Sequence, residues 1–140
     1  MWNNIPEGYD QYWNCSTTIK GYSGTAIFTR VKPIWVQFDF GKKHIGEGRS
    51  ITMEFEKFTL VCAYFPHVGP DLKKLDYRIS EWDKDIESYL HLLETDKKKP
   101  VILAGDLNVV HQEADTQSEI RDEKTPCYTP VERQSFSQLL

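Results

Sequence analysis

Asp106 and Asn108 stand two residues apart in "PVILAGDLNVVHQEAD", residues 100–115. In an extended backbone, residues i and i+2 point to the same side. A carboxylate and an amide would then leave the end of one strand together. An ionised carboxylate beside a neutral amide suits a hard, oxygen-liganded cation such as Mg²⁺. The pair also suits a phosphoryl group, with the carboxylate taking a proton from water and the amide donating to a non-bridging oxygen. Gly105 would let the backbone turn and leave space for a ligand. The plainer alternative is a turn, which Asp and Asn open for reasons of their own.

Other residues carry similar chemistry. Tyr64 interrupts an apolar strand end in "VCAYFPHVG" and puts a phenol where it can donate to a phosphate or cap a core. Tyr22 lies in "GYSG", residues 21–24, a tight turn or a close backbone approach. Arg49 follows two glycines in "GEGR", residues 46–49, and reads locally as a hairpin loop with a solvated charge.

These residues need elements to hold them. "GYSGTAIFTRV" ends in a strand-like run. "PIWVQFDFG" alternates, with Ile34, Val36, Phe38 and Phe40 opposite Trp35, Gln37 and Asp39, which is a period-2 strand. "RSITMEFEKF" does the same, with Ile51, Met53 and Phe55 opposite Thr52, Glu54 and Glu56. "FTLVCAYFP" is nearly all apolar and predicts a strand covered on both faces. From Leu75, the residues Ile79, Trp82, Ile86, Leu90 and Leu93 recur at three and four and predict one helical face. "PVILAG" predicts a short buried strand, and a long polar loop follows it. Thr129, Pro130 and Glu132 form a capping box at the start of a last helix. The first twenty residues, with Trp2, Tyr9, Tyr12 and Trp13, show no period.

Bulk properties set limits. A chain of 140 residues predicts one domain, residues 1–140, with a real core. No apolar run approaches a membrane span, and "MWNNIPEGYD" has neither a basic start nor an apolar stretch. Three cysteines without a C-x-x-C predict no disulfide framework or zinc site, and fit a reducing compartment. Cys62 reads as a small core residue. The net charge of -4 argues against holding duplex nucleic acid by bulk electrostatics. "KKK" at 97–99 reads as a solvated loop.

Together the motifs resemble the exonuclease III-type apurinic/apyrimidinic (AP) endonucleases of the endonuclease/exonuclease/phosphatase superfamily, most closely the eukaryotic branch. The pieces, in order, are "GYSGTAIF", "HIGEGRSI", "LVCAYFPHVG", "LDYRISEWD", "PVILAGDLNVVHQEAD" and "YTPVERQSF". The resemblance implies an α/β fold, part of a four-layered α/β sandwich of two packed twisted sheets flanked by helices. It implies Mg²⁺-dependent hydrolysis, with Mn²⁺ as substitute, of the phosphodiester 5′ to abasic sites in duplex DNA. That is base-excision repair, with 3′-end trimming as a companion activity. By resemblance, Tyr64 contacts the scissile phosphate and Asp106 positions or deprotonates the attacking water. Asn108 holds a phosphate oxygen, and Asp106 and Asn108 are the metal ligands. Tyr22, Arg49 and His67 lie on the DNA. The partner implied is abasic duplex DNA, without a membrane or an obligate protein partner, in the nucleus or else in mitochondria.

The sequence also departs from that family. The "L-Q-E-x-K" segment with the principal metal-binding Glu is absent, as are "N-x-G-x-R-x-D" and the terminal "S-D-H". His67 and Pro70 replace an amide and an Arg in the turn after Tyr64, and Ser118, Asp122 and Thr125 replace an Asn-rich loop. The expectation is an internal fragment, with N- and C-terminal portions missing and no catalysis by these residues alone. Two alternatives stand beside it. One is a superfamily phosphodiesterase or phosphatase acting on lipid, inositol phosphate or RNA. The other is a truncated, non-catalytic relative.

Overall fold

The structure, a computed structural model, describes residues 7–117 and 122–140. Trp2 and Ser118, singled out above, lie outside the described residues. By contact density the chain forms two compact units. One runs up to Tyr64 and includes Leu92–Gly105; the other is Phe65–His91 with Asp106–Leu140.

The first unit holds the sheets. β1 (Asp10–Asn14) pairs antiparallel with β2 (Thr25–Thr29). A four-stranded sheet has the order β3-β4-β5-β6, with β3 at Trp35–Phe38, β4 at Ser50–Glu54, β5 at Thr59–Tyr64 and β6 at Val101–Asp106. β3, β4 and β5 run antiparallel in turn, with Val36 opposite Met53 and Ile51 opposite Cys62. Ile27, Ile51, Met53 and Phe55 make the core, and Tyr12, Val36, Phe58, Leu60 and Cys62 pack against it. Cys62 is thus the small core-packing residue expected.

Four expectations change here. β1 has no apolar period, yet its backbone pairs along its whole length with β2. Ladder hydrogen bonds rather than alternation define that strand. β3 stops at Phe38, because Asp39 turns to φ +54, so the alternation does not reach Phe40. β6 was expected to be buried, but it is an outer strand of its sheet and Ile102 is 46% exposed. The lysine run is also less solvated than expected. Lys97 and Lys99 each reach Glu54 at 2.8 Å, and Lys97 lies over the Trp35 ring. The two ammonium groups hold the Glu54 carboxyl below its ordinary value.

The helices belong mostly to the second unit, with the last residues of the second helix counted in the first. A single α turn, α1 (Leu75–Tyr77), widens into a π turn at Arg78–Trp82 before α2 (Asp83–Lys97) begins. Trp82 and Ile86 are fully buried, as the helical face requires. α3 (Pro130–Leu139) starts at the predicted capping box, where Glu132 N–H donates to the Thr129 hydroxyl and the Glu132 carboxylate accepts from Thr129. In the polar loop, Glu113–Asp115 forms one short 3₁₀ turn.

Candidate functional site

In the first unit the fixed point is Arg49. It directly precedes β4 and is only 4% exposed, so the solvated-loop reading of "GEGR" does not hold. Its Nη2 donates to the Tyr22 hydroxyl at 2.7 Å, and its Nη1 donates to the Tyr64 carbonyl at 3.2 Å. Its Nε donates to Glu47 at 3.1 Å. The guanidinium carbon lies 5.0 Å from the centroids of both the Tyr22 and Tyr64 rings. A planar cation suits this place, because it can stack on aromatic faces while its edge makes hydrogen bonds. Sequence positions 22, 49 and 64 are therefore brought together around one charge.

What holds Arg49 was not visible in the sequence. Asp39, placed above on the polar side of β3, is buried. Its carboxylate accepts from the backbone N–H groups of Gly46, Gly48, Arg49 and Ser50 and from the Asn14 side-chain amide. Asn14 also donates to the Ser50 carbonyl. Gly48 has φ +72, and a Cβ there would meet the Cys15 carbonyl carbon at 2.6 Å. The only sequence signal for this arrangement is an acid at the end of an otherwise apolar strand. The Ser23 hydroxyl of "GYSG" reaches the Glu47 carbonyl and ties that turn to the same loop.

Gly105 also has a different reason from the one expected. A Cβ there would run into the Ala63 carbonyl, so the glycine makes room for the neighbouring strand rather than for a ligand.

In the second unit, Asp106 is exposed and ends β6. Asn108 is not in an extended backbone, because its φ is +46. The i to i+2 relation of a strand therefore does not apply. Instead the Asn108 N–H donates to Asp106 Oδ1 at 3.1 Å, an Asx turn. The Asn108 amide is oriented from both ends. Its Nδ2 donates to the Phe65 carbonyl at 2.9 Å, and its Oδ1 accepts from the Cys127 thiol at 3.5 Å. Burial, with Glu132 next, pushes the Cys127 thiol up to about 11. His67 is exposed, and its Nδ1 accepts from the Gly69 N–H at 3.0 Å.

Arg78 underlies this turn. It is 1% exposed and pairs with Asp83 at 2.6 Å. Its Nη1 donates to the carbonyls of Pro66 and Asn108, and its Nη2 to that of Leu107. The Asp83 carboxylate also accepts from Ser135 of α3 at 2.7 Å. None of these three was singled out in the sequence.

Among the described residues, no three of His, Cys, Asp and Glu are grouped so as to hold a metal ion. Asp106 and Asn108 offer a carboxylate and an amide oxygen, too few for a closed cage. They fit a cation that keeps most of its water and takes one or two protein oxygens, as Mg²⁺ does. Among the described residues, no helix is long and apolar enough to cross a membrane.

The chain is similar to several known proteins. It is 42% identical over 136 residues to an exodeoxyribonuclease of Bacillus subtilis, covering 96% of this chain and 52% of that one. It is 44% identical over 137 residues to the DNA repair nuclease APEX1 of Danio rerio, covering 97% and 43%. An AP endonuclease of Dictyostelium discoideum is 41% identical, with 99% of this chain and 38% of that one covered. The chain thus spans about half the length of these relatives or less. Among solved structures, an AP endonuclease from Leishmania major aligns with a TM-score of 0.76 at 23% identity, over 96% of this chain and 49% of that one. One from Archaeoglobus fulgidus gives 0.74 at 22%, over 94% and 50%. These matches bear out the resemblance read from the motifs and the α/β fold it implied. A profile of the endonuclease/exonuclease/phosphatase family matches residues 1–125, and the chain belongs to that family.

Proposed function

We propose that the protein carrying these residues is a DNA repair nuclease of the AP endonuclease type. It hydrolyses the phosphodiester 5′ to an abasic site in duplex DNA, and it acts in the nucleus. Members of this family generally depend on a divalent cation, and the cation proposed here is Mg²⁺. Residues 1–140 are taken as part of a single domain.

The observation that carries the reading is the pair of phenols fixed by Arg49. A hydroxyl that accepts from a cation becomes a better donor itself. Tyr22 accepts from Arg49 at 2.7 Å, and Tyr64 is held through both its ring and its carbonyl. Two oriented phenols suit the oxygens of a phosphodiester. Arg49 acts on the DNA through the phenols that it holds. His67, exposed in the turn after Tyr64, adds a contact to the DNA backbone.

The remaining roles follow from the chemistry of each group. Asp106, exposed, takes the proton of the attacking water and holds the cation with Asn108. The Asn108 amide steadies a phosphate oxygen. The cation, when bound, supplies positive charge against the negative charge gathering on the phosphoryl oxygens. The relatives named above are DNA nucleases, which supports DNA over lipid or inositol phosphate.

The test, made with a full-length protein that carries these residues, compares incision of a duplex carrying one abasic site with hydrolysis of RNA, lipid phosphate and inositol phosphate, each in Mg²⁺. Duplex incision is expected, with Asp106→Asn lowering turnover by roughly 100-fold or more, as for loss of a general base. Preferred turnover of lipid or inositol phosphate, or an unchanged Asp106→Asn rate, would overturn the reading. Because the chain spans about half the length of its relatives, binding is measured as well. Abasic duplex should bind more tightly than intact duplex, and Tyr22→Phe should weaken that binding.

A further inference from the structure

The segment "LDYRISEWD" belongs to the motif set, yet nothing in the proposed chemistry uses it. Its buried members are Arg78, Trp82 and Asp83. In a regular α-helix, residues five apart lie about 140° apart around the axis. Arg78 and Asp83 are five apart and should diverge. The π turn at Arg78–Trp82 changes this, because Asp83 N–H bonds back to the Arg78 carbonyl and the two residues come onto one face. Their side chains then meet at 2.6 Å. A rare helical form, common at functional sites, is here the means of assembling an ion pair.

The guanidinium looks away from Asp83 toward backbone. It donates to the carbonyls of Pro66 at 3.0 Å, Leu107 at 3.0 Å and Asn108 at 3.3 Å. The Phe65 ring lies 4.9 Å from its carbon, and Trp82 meets that ring edge-on. The Phe65 carbonyl in turn accepts from the Asn108 amide. Two stretches are thereby joined, 65–66 and 107–108. A left-handed, non-glycine Asn108 is strained, and persists only where its surroundings hold it.

We propose that Arg78 is the positioning residue of the Asp106–Asn108 turn. Asp83 and Ser135 orient the guanidinium, and the guanidinium fixes the backbone that sets the direction of the Asn108 amide. The inference rests on reading Asp106 and Asn108 as the cation and phosphate ligands. A lysine in its place would keep the charge beside Asp83 but lose the planar fork that reaches three carbonyls.

The test uses the full chain labelled for NMR, as wild type, Arg78→Lys and Ser135→Ala. The first readout is the Asn108 side-chain amide, whose protons should be slow to exchange in the wild type. In Arg78→Lys they should exchange faster, with the fold kept. The second readout is broadening of Asp106 and Asn108 signals by Mn²⁺, whose midpoint should rise about tenfold in Arg78→Lys, as for loss of a ligand's supporting partner. Ser135→Ala should move both readouts less and in the same direction, and it decides the matter if Arg78→Lys does not fold. An Asn108 amide unchanged in the folded variants would overturn the inference. Absence of Mn²⁺ broadening in the wild type would instead overturn the functional reading, while the amide readout still judges Arg78.

Discussion

The loop 46–50 and the turn 106–108 are held by opposite charges. In the loop, four backbone N–H groups converge on the buried Asp39 carboxylate. In the turn, three carbonyls converge on the buried Arg78 guanidinium. The direction of the converging backbone groups decides the sign of the centre. Convergent donors need an anion, and convergent acceptors need a cation. The centres also differ in how their own charge is met. Asp39 is balanced by amide dipoles, with Asn14 as its side-chain donor. Arg78 has a counter-charge, Asp83. That difference predicts how each centre fails.

The largest effect is expected at Arg78. Arg78→Met leaves Asp83 buried without its partner, which costs about 3–5 kcal/mol. Urea denaturation of the whole chain measures it. The double variant Arg78→Met, Asp83→Leu sharpens the point, because a buried apolar pair is tolerated where a lone charge is not. Recovery should be incomplete, since the carbonyls of Pro66, Leu107 and Asn108 still lack the guanidinium. Full recovery would mean that the carbonyl contacts contribute nothing and that Arg78 serves the ion pair alone.

Asp39→Asn should cost less, about 2–3 kcal/mol. Oδ1 accepts from Asn14, Arg49 and Ser50, and Oδ2 from Gly46 and Gly48. Whichever way an amide is turned, its NH₂ faces other donors. No charge is left unpaired, which is why the loss is smaller. The same urea titration ranks the two, and a larger loss at Asp39 would reverse the contrast drawn here.

The strands of the four-stranded sheet and both long helices could be read from the sequence because their apolar residues recur in a pattern. Ile51 and Met53 are fully buried on β4, and Trp82 and Ile86 on the helix. The capping box was legible because its chemistry is local, three residues wide. The two centres were not legible, for one physical reason. A buried ion's partners here are backbone groups distant in sequence, and backbone groups carry no residue identity. Asp39 therefore reads as one of the polar-side residues of β3, and Arg78 carries no local signal at all. β1 was missed because its evidence is pairing with Thr25–Thr29 rather than its own pattern. Motif matching did find Tyr22, Arg49 and Tyr64, which share one cation. It could not show that the cation is buried and the phenols half-exposed.

The smallest effect uses the thiols as reporters of the two centres. Cys15 is exposed, and its backbone packs against Gly48 beside the Asp39 loop. Cys127 donates to Asn108 in the turn held by Arg78. Burial and then the negative charge of Glu132 raise the Cys127 pKa, Arg78 lowers it and Asp106 raises it, and together they bring it to about 11. The nucleophile is the thiolate, so at pH 8 iodoacetamide should modify Cys15 well before Cys127, as peptide mass mapping would show. Burial also raises Cys62, which should lag as well. A folded pKa above the ordinary thiol value of 9.0 contributes stability fully below that value, and the contribution is lost as pH rises through about 11. Asp106→Asn removes a negative charge and should speed Cys127 alkylation between pH 9 and 11. Arg78→Met removes a positive charge and should slow it, provided that the variant stays folded. Faster alkylation in a folded Arg78→Met protein would show that the turn opens when its cation goes, with exposure outweighing the field.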